Sequence, residues 1–242
     1  MGCNSSAEAA QPSAGKAGTQ KGKGCFTTPV EWNYFDLNGR GDPLRQLFEY
    51  HGQANNKTCE TQEGWEAKKA AGQGGEFGGG LPQACITVNG KKHQLAQMGA
   101  ILRMFCIKFG YYNTKDWKAA RYGDMIVDTF ADVLGASSKI LFGPPEKKDE
   151  NTAAFIAIAK KFHCMVECNL NHHGGKWAAG NNVGIADFIM ASWVGNFVMN
   201  QENPCSPTLQ GCLDETPKFK VYASNIMTEF TWLKRRGNVG AF

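Results

Sequence analysis

A tyrosine and an arginine lie six residues apart early in the chain, and their types and spacing suit the activation of a thiol. Tyr34 lies late in a run with strand character, and Arg40 lies between two glycines just before Asp42-Pro43. A phenol can donate a hydrogen bond to a developing thiolate, and a guanidinium adds positive charge. An aspartate followed by proline is typical of a helix start. The segment therefore predicts either a small anionic or thiol ligand at a strand-to-helix turn or, as the alternative, a tyrosine buried in a strand core.

The elements that position this pair are predicted to follow the order β-α-β-α-β-β-α. Asn89-Gly90 between two short β-type runs is a strong hairpin signal. From about residue 116 onward, apolar residues recur at helical spacing. We therefore expect an α/β domain over 30–112 and an all-helical domain over 113–242. Within the first domain, strands are predicted over 30–37, 57–61, 86–88 and 93–95, and helices over 42–50 and 65–71 and from about 101.

Composition excludes several classes of protein. The net charge is only +4, and no basic stripe indicates a nucleic-acid partner. Nine cysteines are scattered without paired spacing, which favours free thiols in a reducing compartment. No secretory signal and no apolar stretch of transmembrane length is expected.

The first 29 residues are predicted to form a disordered tail that carries lipid. They are rich in Ala, Gly, Ser, Lys and Gln and poor in large apolar side chains. Gly2 with Ser6 fits the N-myristoylation pattern, and Cys3 is placed for palmitoylation. Two acyl chains anchor a protein stably, whereas one is marginal. We therefore expect association with the cytosolic face of a membrane.

Further short motifs accompany the predicted element order. They are Tyr34-Phe35 with Arg40, Trp65 four residues before Lys69, Leu81-Pro82, Gln97-Met98, Asp128 and Asp187. Together with the element order, they resemble the glutathione transferase superfamily, most closely its sigma class, over roughly residues 32–236. The resemblance implies the glutathione transferase fold, an α/β thioredoxin-like N-terminal domain followed by an all-α C-terminal domain. It also implies a homodimer that uses glutathione as co-substrate and holds no metal.

The resemblance assigns roles to individual residues. Tyr34 would activate the glutathione thiol and Arg40 would support it, while the electrophile or lipid substrate would lie near Tyr111 and Tyr112. The residues implied to hold glutathione are Trp65 and Lys69 at the glycyl carboxylate, Leu81 and the cis-proline Pro82 at the cysteinyl group, Gln97 and Met98 at the γ-glutamyl group, and Asp128 near the dimer interface. The expected activity is conjugation of glutathione to electrophiles or isomerisation of a lipid peroxide.

Some residues depart from the family pattern and keep alternatives open. Met98 stands where a serine is usual, and Gly79-Gly80 stand where a polar side chain is usual. A non-catalytic structural or scaffolding protein is therefore the main alternative. An omega-type thiol oxidoreductase would need a cysteine in place of Tyr34. Cys164, Cys168 and His172 could share a helix face and bind a soft metal, although incidental thiols explain them better.

Overall fold

The computed structural model describes residues 25–75, 79–231 and 233 of the chain. Gly2 and Cys3, with most of the predicted tail, lie outside this part. Among the described residues, no helix combines the length and the apolar character needed to cross a membrane.

Four strands form one mixed sheet in the order β2-β1-β3-β4. The strands are β1 (Val30–Phe35), β2 (Asn55–Glu60), β3 (Gln83–Val88) and β4 (Lys91–Ala96). β1 pairs in parallel with β2 and antiparallel with β3, and β3 forms the expected hairpin with β4. The predicted α/β order is confirmed, and β1 lies in the interior of the sheet.

Three helices accompany the sheet: α1 (Asp42–His51), α2 (Gln62–Ala70) and α3 (Met98–Phe109). Helix α2 begins three residues before the predicted start. The Thr61 hydroxyl accepts a hydrogen bond from the Gly64 amide at 3.0 Å, which satisfies a free donor of the first turn. The cap adds a turn ahead of Trp65, the first apolar residue of that helix.

The second half of the chain is helical, as predicted. Its helices are α4 (Trp117–Phe142), α5 (Lys148–His173), α6 (Ile185–Trp193), α7 (Ser206–Gly211) and α8 (Pro217–Glu229). Helices α4 and α5 pack along each other, and α6 packs against α1, α4 and α8. Every residue of α6 is buried, so this apolar helix forms the centre of the helical half. The sequence boundary between residues 112 and 113 lies in the segment that joins α3 to α4, and the division into domains stays a prediction.

Asp187 fixes the start of the central helix α6. One carboxylate oxygen accepts hydrogen bonds from the Tyr222 hydroxyl at 2.5 Å and the Ala178 amide at 3.1 Å. The other oxygen accepts from the Gly184 amide at 2.7 Å. Burial raises the pKa of Asp187 to about 6, against the opposing effect of these donors. The carboxylate thus ties a loop, a helix start and α8 into one buried cluster.

Candidate functional site

Tyr34 lies near the end of β1, where its ring is buried and its hydroxyl meets the following turn. The side chain is 5% exposed, and the hydroxyl oxygen accepts a hydrogen bond from the Arg40 amide at 2.7 Å. A Cβ atom added at Gly41 would collide with the Tyr34 ring, and one added at Gly39 would lie 2.6 Å from its hydroxyl oxygen. The two glycines beside Arg40 therefore let the turn close tightly over the phenol.

The Tyr34 hydroxyl keeps its own proton for a ligand. A phenol oxygen can accept one hydrogen bond and still donate its hydrogen. Burial raises the pKa of Tyr34, while the Arg40 amide and the Arg40 charge act in the opposite direction. The group therefore stays protonated at neutral pH and can act as a hydrogen-bond donor to an anion.

The turn after Tyr34 is held by a buried aspartate at the start of α1. The Asp42 carboxylate is fully buried, and Arg45 donates to it at 3.0 Å. The amides of Gln46 and Asn196 donate to its other oxygen at 3.2 and 2.8 Å. Asn196 comes from the π-helical turn Val194–Val198 that continues α6. The helical half of the chain thus contacts the turn that carries Arg40, and nothing in the sequence pattern pointed to Asn196.

The residues predicted at the cysteinyl and γ-glutamyl ends take distinct positions. The bond between Leu81 and Pro82 is cis, as the resemblance implied, and it comes just before β3. Gln97 is exposed and has φ 70° and ψ 120°, a conformation that non-glycine residues seldom adopt. Met98 is 5% exposed and packs in the hydrophobic core. The Gln97 side chain is therefore available to solvent, whereas Met98 is part of the packing.

The two residues predicted at the glycyl end have partners within the chain. The indole nitrogen of Trp65 donates a hydrogen bond to the Gly79 carbonyl at 2.8 Å. The Lys69 ammonium pairs with Glu66 at 2.7 Å, and both side chains are partly exposed. An exposed pair of this kind contributes little and exchanges readily, so the Trp65 bond is the firmer of the two.

Asp128 lies on α4 in a network of charges with α3. Arg103 donates to Asp128 at 2.8 Å and to Asp124 at 2.7 Å. The Tyr112 hydroxyl donates to the second oxygen of Asp124 at 2.7 Å. The Asp128 side chain is 71% exposed, so it faces outward while Arg103 holds it. The structure therefore places Asp128 on an open surface of α4.

The region expected to hold the second substrate is partly filled by core side chains. The Tyr111 hydroxyl lies 3.1 Å from the Nδ1 atom of His51, and its ring packs edge-on against Phe188. Burial raises the pKa of Tyr111 to about 12. A cavity of about 370 Å³ lies elsewhere, between the end of α5 and α8. The location of the second substrate beside Tyr111 and Tyr112 stays a prediction.

The cysteines of α5 do not form a metal centre with their neighbours. Cys164 and Cys168 are exposed. Within the described ranges, no group of three or more His, Cys, Asp or Glu residues is arranged to hold a metal ion.

The comparisons with known proteins agree with the fold. No family model matches the chain. Probable glutathione S-transferase 6 of Caenorhabditis elegans is 31% identical over 167 residues, which cover 66% of this chain and 76% of the relative. Probable glutathione S-transferase 8 of the same organism is 24% identical over 212 residues, 84% of this chain and 95% of the relative. The chain therefore belongs to the glutathione S-transferase family.

A solved structure supports the fold independently. Monomeric Na-GST-3, a glutathione S-transferase from the hookworm Necator americanus, superimposes with a TM-score of 0.71 at 22% identity. The match covers 89% of this chain and all of the other. The predicted combination of a thioredoxin-like N-terminal domain and an all-α C-terminal domain is thus confirmed, while sigma-class membership stays a prediction.

Proposed function

We propose that this family member conjugates the thiol of glutathione to small electrophiles, with Tyr34 as the group that activates the thiol. The observation that carries the proposal is the hydrogen bond from the Arg40 amide to the Tyr34 hydroxyl. It fixes the oxygen and leaves its proton for the ligand. Glutathione would lie along the turn before β3, between Leu81-Pro82 and Gln97.

In the proposed step, the bound thiol loses its proton to solvent and the resulting thiolate forms a bond to the electrophilic carbon. With a chloronitroarene, chloride leaves as the carbon–sulfur bond forms. The Tyr34 hydroxyl donates to the thiolate, and the nearby Arg40 charge favours the same ionised form. A thiol resembles cysteine in acidity, so lowering its pKa by about two units requires about 2.7 kcal/mol of differential stabilisation.

A conjugation assay tests the proposal. The full chain should convert glutathione and a generic chloronitroarene to the thioether, followed by absorbance of the product. A rate equal to that of the same two substrates without protein would contradict the proposal and favour the non-catalytic alternative. The buried Met98 and the occupied indole of Trp65 are the observations on the side of that alternative. Isomerisation of a lipid peroxide is a second reaction that the same thiolate could support, and it would be assayed separately.

The charge network between α3 and α4 supports a proposed homodimer. Arg103, Asp124 and Asp128 combine both signs of charge on one surface. Trp117 and Met125 on the same helix are 62% and 45% exposed. Aromatic residues, methionine and arginine are enriched at protein interfaces. Sedimentation that finds only a monomer would contradict the dimer.

Gly2 and Cys3 are proposed to carry a myristoyl and a palmitoyl chain that tether the protein to the cytosolic face of a membrane. Gly2→Ala should move the protein entirely to the soluble fraction, and Cys3→Ser should move most of it, because a single acyl chain binds marginally. Conjugation of a soluble electrophile should be the same in both variants. Wild-type protein that is already fully soluble in its native cell would rule out the tether.

A further inference from the structure

The indole of Trp65 contacts Gly79, one of the described glycines of the glycine-rich segment that follows α2. Trp65 is 3% exposed, and its N–H donates to the Gly79 carbonyl at 2.8 Å. An indole has a single N–H and accepts no hydrogen bond in return. A ligand carboxylate can therefore receive this hydrogen bond only if the Gly79 carbonyl gives it up.

Gly74, at the start of the glycine-rich segment, is fixed to the sheet. The side-chain amide of Gln83 is buried and donates to the Gly74 carbonyl at 2.8 Å. Gln94 on β4 donates in turn to the Gln83 side-chain oxygen at 3.0 Å. Gly75 has φ 87°, and a Cβ atom there would collide with the Gln83 amide. Two glutamines thus hold Gly74 and Gly75 close to the sheet, and a side chain at residue 75 would prevent this approach.

The methylene carbons of Lys69 lie against both Gly74 and Gly79. A Cβ atom added at Gly74 would lie 2.8 Å from the Lys69 Cγ atom, and one added at Gly79 would lie 2.8 Å from its Cδ atom. The glycine backbone therefore packs on the lysine methylenes, and the ammonium pairs with Glu66. The Trp65 N–H that the resemblance assigns to the glycyl carboxylate is thus taken by the Gly79 carbonyl, and the Lys69 methylenes are packed against Gly74 and Gly79.

We propose that the thiol site binds a γ-glutamylcysteinyl group and makes no energetically important contact with the residue that follows the cysteine. The Gly79 carbonyl keeps the hydrogen bond of the Trp65 N–H, and the glycyl carboxylate of glutathione stays in solvent. The protein is then tolerant of thiols that lack glycine or carry another group in its place. This inference rests on the proposed use of a glutathione-type thiol.

The deciding experiment compares three thiols with the full chain and the same chloronitroarene: glutathione, its glycyl ethyl ester and γ-glutamylcysteine. The expected kcat/KM values agree within about threefold, because a charge-assisted hydrogen bond to the carboxylate would change them by about tenfold or more. A preference for glutathione above tenfold over either of the other two overturns the inference.

The conjugation proposal can fail separately. If none of the three thiols is consumed, calorimetry gives the ratio of their dissociation constants, and the same limits decide the inference. If none binds, both proposals are wrong.

A variant tests the indole bond itself. Trp65→Phe keeps an aromatic ring and removes the N–H, so amide hydrogen exchange in a peptide spanning residues 79–84 should become at least about tenfold faster. Trp117→Phe is the matched control, since that indole is 62% exposed, and it should leave exchange there unchanged. Equal exchange in Trp65→Phe and wild type would overturn the assignment of Gly79 to Trp65.

Discussion

Two buried tyrosines, one in the α/β half of the chain and one in the helical half, use their hydroxyls in opposite ways. The Tyr222 hydroxyl donates a hydrogen bond to Asp187 at 2.5 Å, so its hydrogen is not available to a ligand. Tyr34 accepts a hydrogen bond from the Arg40 amide at 2.7 Å and keeps its proton. Burial raises the pKa of both phenols. The direction of the hydrogen bond, rather than burial or acidity, therefore separates a structural tyrosine from one that can act on a substrate.

The largest expected effect concerns Asp187, the acceptor of the structural Tyr222 hydroxyl. Asp187→Ala removes the acceptor of Tyr222, Gly184 and Ala178 together, and it should lower the free energy of unfolding by about 3–5 kcal/mol, because several buried donors lose their partner at once. Chemical denaturation measures the change. Asp214→Ala is the control, because Asp214 is 72% exposed in its pair with Lys220, and it should cost less than about 1 kcal/mol. Similar losses in the two variants would contradict the structural role of Asp187.

A substitution of Met98 tests whether this residue contacts the γ-glutamyl group of the ligand or serves only the packing of the core. Because its side chain is buried in the core, Met98→Ser should lower the free energy of unfolding by about 2–4 kcal/mol. The exposed Met125 provides the control variant, Met125→Ser, which should be near neutral. Calorimetry should find no gain in glutathione affinity in Met98→Ser, and a clear gain would place residue 98 against the ligand.

Tyr34→Phe tests whether the Tyr34 hydroxyl donates to the thiolate of the substrate. The variant should lower kcat by about 30- to 100-fold, or about 2–3 kcal/mol, because it removes a donor that strengthens as the thiolate forms. Glutathione affinity should change little, since that bond is weak to the neutral thiol. Tyr222→Phe is the matched control and should keep the wild-type kcat. Equal turnover in wild type and Tyr34→Phe would remove Tyr34 from the mechanism.

The dependence of stability on pH tests the role of Asp187 further. The pKa of Asp187 is raised from 3.8 to about 6 in the folded protein. The folded state therefore binds the proton more tightly than the unfolded state, so this group favours folding at low pH and that contribution is lost as pH rises from about 4 to about 6. Above that range the carboxylate is charged and depends more on its donors.

Tyr222→Phe should therefore cost more stability at high pH than at low pH. We expect a loss of about 2 kcal/mol at pH 8, where a bond to a charged acceptor is removed, and about 1 kcal/mol at pH 4.5. Urea denaturation at the two pH values measures the difference. An equal loss at both would mean that Asp187 does not change its charge between them.

Most of the fold could be predicted from local signals. The Asn89-Gly90 hairpin, the helix start at Asp42-Pro43 and the apolar spacing of α4 are written in neighbouring residues, so they are visible without tertiary contacts. The start of α2 was misplaced because Thr61 acts through a side-chain cap rather than through apolar periodicity. Family resemblance supplied the candidate site residues, since single residues such as Trp65 carry no local signal of a ligand.

What the sequence by itself determined is the order of elements, the helical second half and the pairing of Tyr34 with a glycine-flanked Arg40. Only the tertiary structure decided which groups remain available at the site. In the folded protein the Arg40 amide donates to the Tyr34 hydroxyl, the Trp65 indole donates to the Gly79 carbonyl and Met98 is buried. Local periodicity reports which face of an element is apolar, whereas hydrogen-bond partners far apart in the chain are fixed only when the elements pack.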